Sequence, residues 1–237
     1  AGVSDSTIAK ELGYLLQAMR RAKRHKLYHG DPSDLWPDAL AKTFAGRRRW
    51  LLWQEYLAAL DHIDTKWRDH LIVYTSTGVR YSELYVLHAR DIDFESGIVH
   101  VRGTKTDGAD RQVPISVEAR EVLFRRAQTS SDGQLFHITS TGKGSREDNQ
   151  KRAWLRALSS ACRAAKIKHA STNDLRRTFV SWCWHHSIDI LVLQRWMGHG
   201  SKKMIEQVYA QPDMEHYRDE IAKFPARYMP SVDGELH

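Results

Sequence analysis

Cysteine is scarce. The 237 residues hold only two, Cys162 and Cys183, and no CxxC pair. Neither a disulfide framework nor a thiolate zinc site is indicated. That suits a reducing compartment, so a cytoplasmic location is expected. Long apolar runs are missing as well, and none approaches the roughly 20 residues that span a bilayer. No membrane partner is expected. The first residues lack the charged, apolar, small-residue order of a signal peptide. The chain starts at Ala1 instead of Met, so an excised or trimmed piece of a longer protein is expected. No internal repeat or low-complexity tract is evident.

The residues present are those of a folded protein with a basic surface. Hydrophobic residues make up 41% and charged residues 27%, enough for a core and a soluble exterior. The length allows one good-sized domain, or one domain plus a smaller piece. Lys and Arg outnumber Asp and Glu by 36 to 29, giving a formal charge of +7 and a pI near 9.4. Such a surface attracts polyanions, of which nucleic acid is the commonest. A soluble protein that happens to be basic fits the charge equally well.

Residues 5–26 read as a helix, with Ile8, Leu12, Leu15 and Met19 sharing one face. Asp5 or Ser6 caps its start, and the basic run RRAKRHK suits its negative end. Residues 30–46, with Gly, two Pro and Asp in GDPSDLWPDAL, read as a linker. Arg47, Arg48 and Arg49 follow, either as phosphate contacts or as a solvated basic loop. Helical patterning runs from about 53 to 90. Two strands are expected at 98–102 and 111–115, joined by a hairpin with TKTDGAD at its tip. Helices are then expected at about 116–128, 147–166, 172–185, 189–197 and 200–210, with one more short helix in MEHYRDEIAKF. The fold class is therefore mainly α with a small antiparallel β-sheet (α+β).

Breaking a DNA strand means displacing an alkoxide from a phosphodiester. Without metal, that chemistry needs cations for the charge at phosphorus, an acid for the leaving oxygen, and a nucleophile. Arginine suits the first task because its charge is permanent and its planar fork matches phosphate oxygens. The chain supplies these types in order. Arg80 and Glu83, three residues apart after Gly78, share a helix face. Lys105 lies on the hairpin tip, Arg176 early in a helix, and His199 just after a helix ends at Met197. Tyr209 follows ten residues later. Taken singly, each has a plainer reading: a surface ion pair, a solvated lysine, a capping histidine, a half-buried tyrosine.

Together they resemble the tyrosine recombinases, or phage integrase family. TGVRYSEL resembles its first arginine box, and DLRRTF its second. IVHVRGTKTDGADRQVPI resembles its strand–lysine–strand segment, with the Arg-x-Val-Pro ending. WMGHGSKKMIEQVYAQ resembles its Leu-Gly-His box with the nucleophilic tyrosine. The likeness covers about residues 47–215. Residues 5–26 also look like the last helix of the family's core-binding domain.

The resemblance implies a strand-transferase that cuts and rejoins double-stranded DNA at defined sites through a 3′-phosphotyrosyl link, without metal, ATP or another cofactor. It implies that Arg80 and Arg176 hold the scissile phosphate, that His199 adds a hydrogen bond and that Lys105 protonates the 5′ oxygen. Tyr209 would attack phosphorus, and Glu83 would orient the site. A homo-tetramer on DNA is implied, with the tail against a neighbour. The expected domains are a partial core-binding helix and linker over 1–40, a catalytic domain over 41–215, and a tail over 216–237. Type IB topoisomerase-like relaxation and a non-catalytic DNA-binding protein of the same fold remain as alternatives.

Two positions depart from the family pattern. Asn173 stands where the second box usually begins with histidine, and it cannot transfer a proton at neutral pH. Arg177 stands where histidine is common, and reads as a surface or phosphate contact. The spacing to Tyr209 is acceptable, with Tyr217 the remote alternative. Phe179, Val180, Trp182 and Cys183 read as core, and the adjacent His185 and His186 face different sides of a helix, a poor metal arrangement.

Overall fold

The computed structural model describes residues 2–40, 49–102 and 110–198. The chain divides into two compact units, Ala1–Arg47 and Arg48–His237. In the first, α1 spans Asp5–Arg24, with Asp5 in its first turn and Arg21, Lys23 and Arg24 in its last. Those charges match the ends of the helix dipole. The buried positions are Ala9 and Leu16, whereas Ile8 and Leu15 of the expected apolar stripe are 38% and 50% exposed. The stretch expected to be linker contains a 3₁₀ turn, Pro32–Leu35, with the Asp31 side chain accepting from Ser33 N. Trp36 Nε1 donates to the Leu40 carbonyl at 2.7 Å.

The second unit holds the remaining elements. The helical pattern over 53–90 is three helices. These are α2 (Trp53–His62), α3 (Thr65–Thr77) and the short α4 (Tyr81–Leu84). Asp64 separates the first two by capping α3 through Lys66 N. Gly78, at φ +61°, ends α3 in the left-handed conformation. A Cβ there would lie 2.7 Å from the Phe179 ring, so a larger residue has neither the backbone nor the room.

α3 is the centre of the core. Trp67 and every residue from His70 to Thr77 are buried. Its buried threonine hydroxyls are satisfied within the helix, Thr75 Oγ1 on Leu71 O and Thr77 Oγ1 on Val73 O, while Ser76 Oγ accepts from Ser116 Oγ. It packs on α5 (Val117–Thr129) and α7 (Thr172–His185), while α2 packs on α6 (Arg146–Ala164). Serine caps start these helices: Ser116 for α5, Ser145 for α6 and Ser171 for α7. The fully buried Trp154 of α6 stacks on His70 and packs at a tilt against Trp67 and Tyr74 of α3. Truncating such a residue to alanine costs about 3–5 kcal/mol.

The sheet is antiparallel with order β1-β2-β3: Ile92–Asp93, Ile98–Val101 and Arg111–Pro114. The two-residue β1 was not expected from the sequence. In β2 and β3, Val99 faces Val113 and Val101 faces Arg111 on the buried side, with His100 and Gln112 on the exposed side. The last described helix, α8 (Ile190–Met197), packs on β3 and α7. Asp189 caps it, accepting from Leu191 N at 2.7 Å, and Gly198 closes it at φ +58°. Phe179, Val180 and Trp182 are buried and Cys183 packs partly buried against them, so this stretch of α7 is core.

Candidate active site

Arg80 is the N-cap residue of α4, where the sequence pattern put it within the helix beside Glu83. Glu83 reaches back from the third helical position. Its Oε2 accepts from Arg80 N at 2.6 Å, and its Oε1 accepts from Arg80 Nη1 at 2.7 Å. The Gly78 turn that ends α3 therefore delivers Arg80, and α4 supplies the carboxylate that holds it. The Arg80 side chain is 43% exposed, while that of Glu83 is 9% exposed.

A second arginine meets the same carboxylate. Arg111, the first residue of β3, donates from Nη1 to Glu83 Oε1 at 3.0 Å and from Nη2 to Oε2 at 2.7 Å. Its side chain is 3% exposed. Burial alone would raise the Glu83 carboxyl. Hydrogen bonds from Arg111 and the Arg80 backbone, with the Arg111 charge, outweigh it and bring the group down to about 2. Removing one partner of such a buried pair costs about 3–5 kcal/mol.

The C-terminus of α8 completes the arrangement. A helix ends with carbonyls that lack intrahelical partners. Here three consecutive ones are taken by three arginines from distant parts of the chain. Arg111 Nε donates to Trp196 O at 2.7 Å. Arg176 Nη2 donates to Met197 O and its Nη1 to Gly78 O. Arg80 Nη2 reaches Gly198 O at 3.5 Å. The positive groups also meet the negative end of the helix dipole. Arg80 and Arg176, which the sequence placed in separate motifs, are thus brought to adjacent residues. Beside Gly198 opens a groove of about 1360 Å³, with Arg90, Arg102 and Arg195 on its walls.

The other expected site residues are placed as follows. Asn173 is exposed in the first turn of α7. Arg177 pairs with the buried Asp174 at 2.7 Å. Arg49 grips Glu55 at 2.7 and 2.9 Å and donates to Lys168 O, so its side chain is 11% exposed and ties the segment before α2 to the rest of the unit. Arg47, Arg48, Lys105, His199, Tyr209 and Tyr217 lie outside the described residues, as do the expected helix at 200–210 and the tail.

Arg111 was missed as a functional residue. It appeared only as the start of the Arg-x-Val-Pro strand ending. The signal was nevertheless present, since strand alternation puts Arg111 on the face of Val113. A guanidinium on a buried face needs a buried carboxylate, and Glu83 is one of the few acidic residues that are buried.

Residues 49–216 match the model of the phage integrase family. The chain is similar to tyrosine recombinase XerA of Pyrococcus furiosus, 34% identical over 164 residues, which are 67% of this chain and 55% of that protein. It is 32% identical over 146 residues to tyrosine recombinase XerC of Xanthomonas campestris pv. campestris, covering 62% of this chain and 44% of that one. The chain thus spans about half the length of these relatives. Its fold is similar to that of the Tn1549 transposon integrase, solved with a circular intermediate DNA. The TM-score is 0.72 at 20% identity, covering 94% of this chain and 81% of that one. XerA recombinase gives a TM-score of 0.59 at 22% identity, covering 94% and 85%. The structural likeness speaks to the fold, and the family match takes in well over half of the sequence: this chain belongs to the phage integrase family.

Proposed function

We propose that the chain is a site-specific DNA recombinase or integrase. Arg80 and Arg176 would hold the non-bridging oxygens of the scissile phosphate, with a further hydrogen bond from His199. Tyr209 Oη would attack phosphorus as the bond to the 5′ oxygen breaks. Lys105 would give that oxygen its proton, leaving a 3′-phosphotyrosyl link and a free 5′ hydroxyl. A 5′ hydroxyl from a partner duplex then reverses the step, so the link conserves the energy of the phosphodiester. Glu83 orients Arg80. Asn173 cannot take the tyrosine proton, which passes instead to solvent.

One observation carries this reading: Arg176 and Arg80 converge on the consecutive carbonyls of Met197 and Gly198, and His199 is the next residue. Two guanidiniums held at one place form a preorganised site for phosphate charge. The basic balance of the chain and the arginine-walled groove agree with a DNA partner. The relatives are named as tyrosine recombinases, and the Tn1549 integrase was solved with DNA. Arg47, Arg48 and Arg177 are proposed to touch phosphates. Arg49 is proposed to do so as well, while also being held by Glu55.

The proposed organisation keeps a partial core-binding helix and linker over 1–40, a catalytic domain over 41–215 and a tail over 216–237 that packs on a neighbour in a tetramer on DNA. No helix among the described residues is long and apolar enough to cross a membrane. The test is a nicked suicide substrate bearing the element's junction sequence, incubated in EDTA with the wild type and with Tyr209→Phe. A covalent complex formed by the wild type alone is expected. An adduct mapped to Tyr217 would overturn the nucleophile, and no adduct would favour a non-catalytic DNA-binding protein. Relaxation without strand exchange between two marked duplexes would favour a topoisomerase.

A further inference from the structure

Arg111 carries none of the roles assigned above, yet it touches two parts of the site. Its strand position suits an apolar residue: it faces Val101 on the buried side of the sheet. A buried ion pair is weak evidence for stability, because well-packed apolar groups of similar volume often do as well or better. The geometry shows what an apolar residue could not do. The Glu83 carboxylate accepts four hydrogen bonds, two on each oxygen, two from Arg80 and two from Arg111. An ionised carboxylate offers about four such positions, so it is saturated and has one orientation. The third donor of Arg111, Nε, holds the Trp196 carbonyl at 2.7 Å, beside the carbonyls that Arg176 and Arg80 take.

We propose that Arg111 is a positioning residue of the strand-transfer site, setting the guanidinium of Arg80 through Glu83 and the end of α8 through Trp196. This rests on the recombinase reading above. Arg111 acts through Glu83 and Trp196, with its side chain 3% exposed. It joins β3 to the two segments that flank the phosphate, and its planar fork is what lets one side chain do so. A lysine brings one ammonium and cannot span both Glu83 oxygens and the Trp196 carbonyl.

The test compares the wild type, Arg111→Lys and the double variant Arg111→Met with Glu83→Gln, which replaces the buried pair by neutral groups. Single-turnover cleavage and DNA affinity are measured on two suicide substrates. One has the ordinary scissile phosphate. The other has a methylphosphonate there, whose methyl group replaces one non-bridging oxygen and removes the charge that Arg80 serves. With Arg111→Lys, cleavage of the ordinary substrate should slow roughly ten- to hundredfold, the scale of a small misplacement. DNA affinity should hold, and the loss should shrink on the methylphosphonate. Should Arg111→Lys not fold by circular dichroism, the double variant is compared with Glu83→Gln alone, and equal rates for those two on both substrates overturn the proposal.

Equal slowing on both substrates overturns the proposal. So does cleavage at the wild-type rate, or loss of folding in both variants, since Arg111 would then only hold the fold together. A wild type without a Tyr209-dependent adduct sinks the recombinase reading and this inference with it. A wild type that cleaves beside equally fast variants sinks the role of Arg111 alone.

Discussion

Arg176 and Gly78 lie 98 residues apart in the chain and are hydrogen-bonded in the fold, Arg176 Nη1 donating to the Gly78 carbonyl. The same guanidinium donates to Met197 O, so one side chain links the turn before Arg80 to the end of α8. Arg176→Lys should lose this double reach. Adduct formation on the suicide substrate should fall roughly 10²–10³-fold, as when a preorganised charge-stabilising donor is removed. The melting temperature should fall too, because a buried carbonyl left without its donor costs about 1–3 kcal/mol. Wild-type cleavage by the lysine variant would show that the fork is dispensable.

Asn173 is exposed in the first turn of α7. A histidine placed there sits at the positive end of the helix dipole, which favours the neutral, proton-accepting imidazole near pH 7. Asn173→His should therefore speed single-turnover cleavage, by roughly tenfold or more if the imidazole acts as a base. A rate unchanged or slower would show that the tyrosine proton leaves by another route.

Thr178 offers a change that should affect stability alone. Its hydroxyl accepts from Leu51 N at 2.9 Å across 127 residues of sequence and donates to Asp174 O at 2.8 Å. Thr178→Val keeps the shape and leaves the Leu51 N–H buried without its acceptor. Denaturant unfolding should show a loss of about 1–3 kcal/mol, with the rate of adduct formation as in the wild type. A stability change under half a kilocalorie would mean that the N–H finds another acceptor.

Stability should fall in acid in two overlapping stages. His70 is buried among Trp67, Phe136 and Trp154. Burial, and then the charge of Arg126, push its imidazole from 6.5 down to about 3. The unfolded chain therefore binds the proton first, so stability is full above pH 6.5 and drains as pH falls toward 3. By pH 4.5 the loss is about 2–3 kcal/mol. Glu83, held at about 2 against an ordinary 4.5, adds its loss below pH 4.5. Urea unfolding from pH 7 to 4.5 should show the first stage in the wild type and a flatter profile in His70→Phe. Parallel profiles would exclude His70 as the source.

The elements most legible in the sequence were those with local punctuation. Helix α7 was expected at 172–185 and is found at Thr172–His185, because Ser171 and Asp174 cap it reciprocally. The strands at 98 and 111 followed from alternating residues around a Gly-containing loop. Other features depended on contacts with no local signature. The helix carrying Glu83 was expected to start after Gly78, as it does, but the need for glycine there comes partly from Phe179, far along the chain. The stripe on α1 was read from periodicity, yet the buried positions are Ala9 and Leu16. Arg80, Glu83 and Arg176 stood out because motifs flank them. Arg111 did not, since its significance is its pairing with a carboxylate 28 positions earlier.

The carbonyls at 196–198 have a consequence for the order of synthesis. A ribosome releases the chain from its N-terminus, and a domain folds as a unit once its residues have emerged. Arg80, Glu83, Arg111 and Arg176 are all made before the residues whose carbonyls hold three of them. Until α8 has emerged and docked, Arg80, Arg111 and Arg176 are without these three acceptors. A product terminated before Ile190 keeps the bonds of Arg80 and Arg111 to Glu83 and of Arg176 to Gly78, but has none of the three acceptors that bring these arginines to one place.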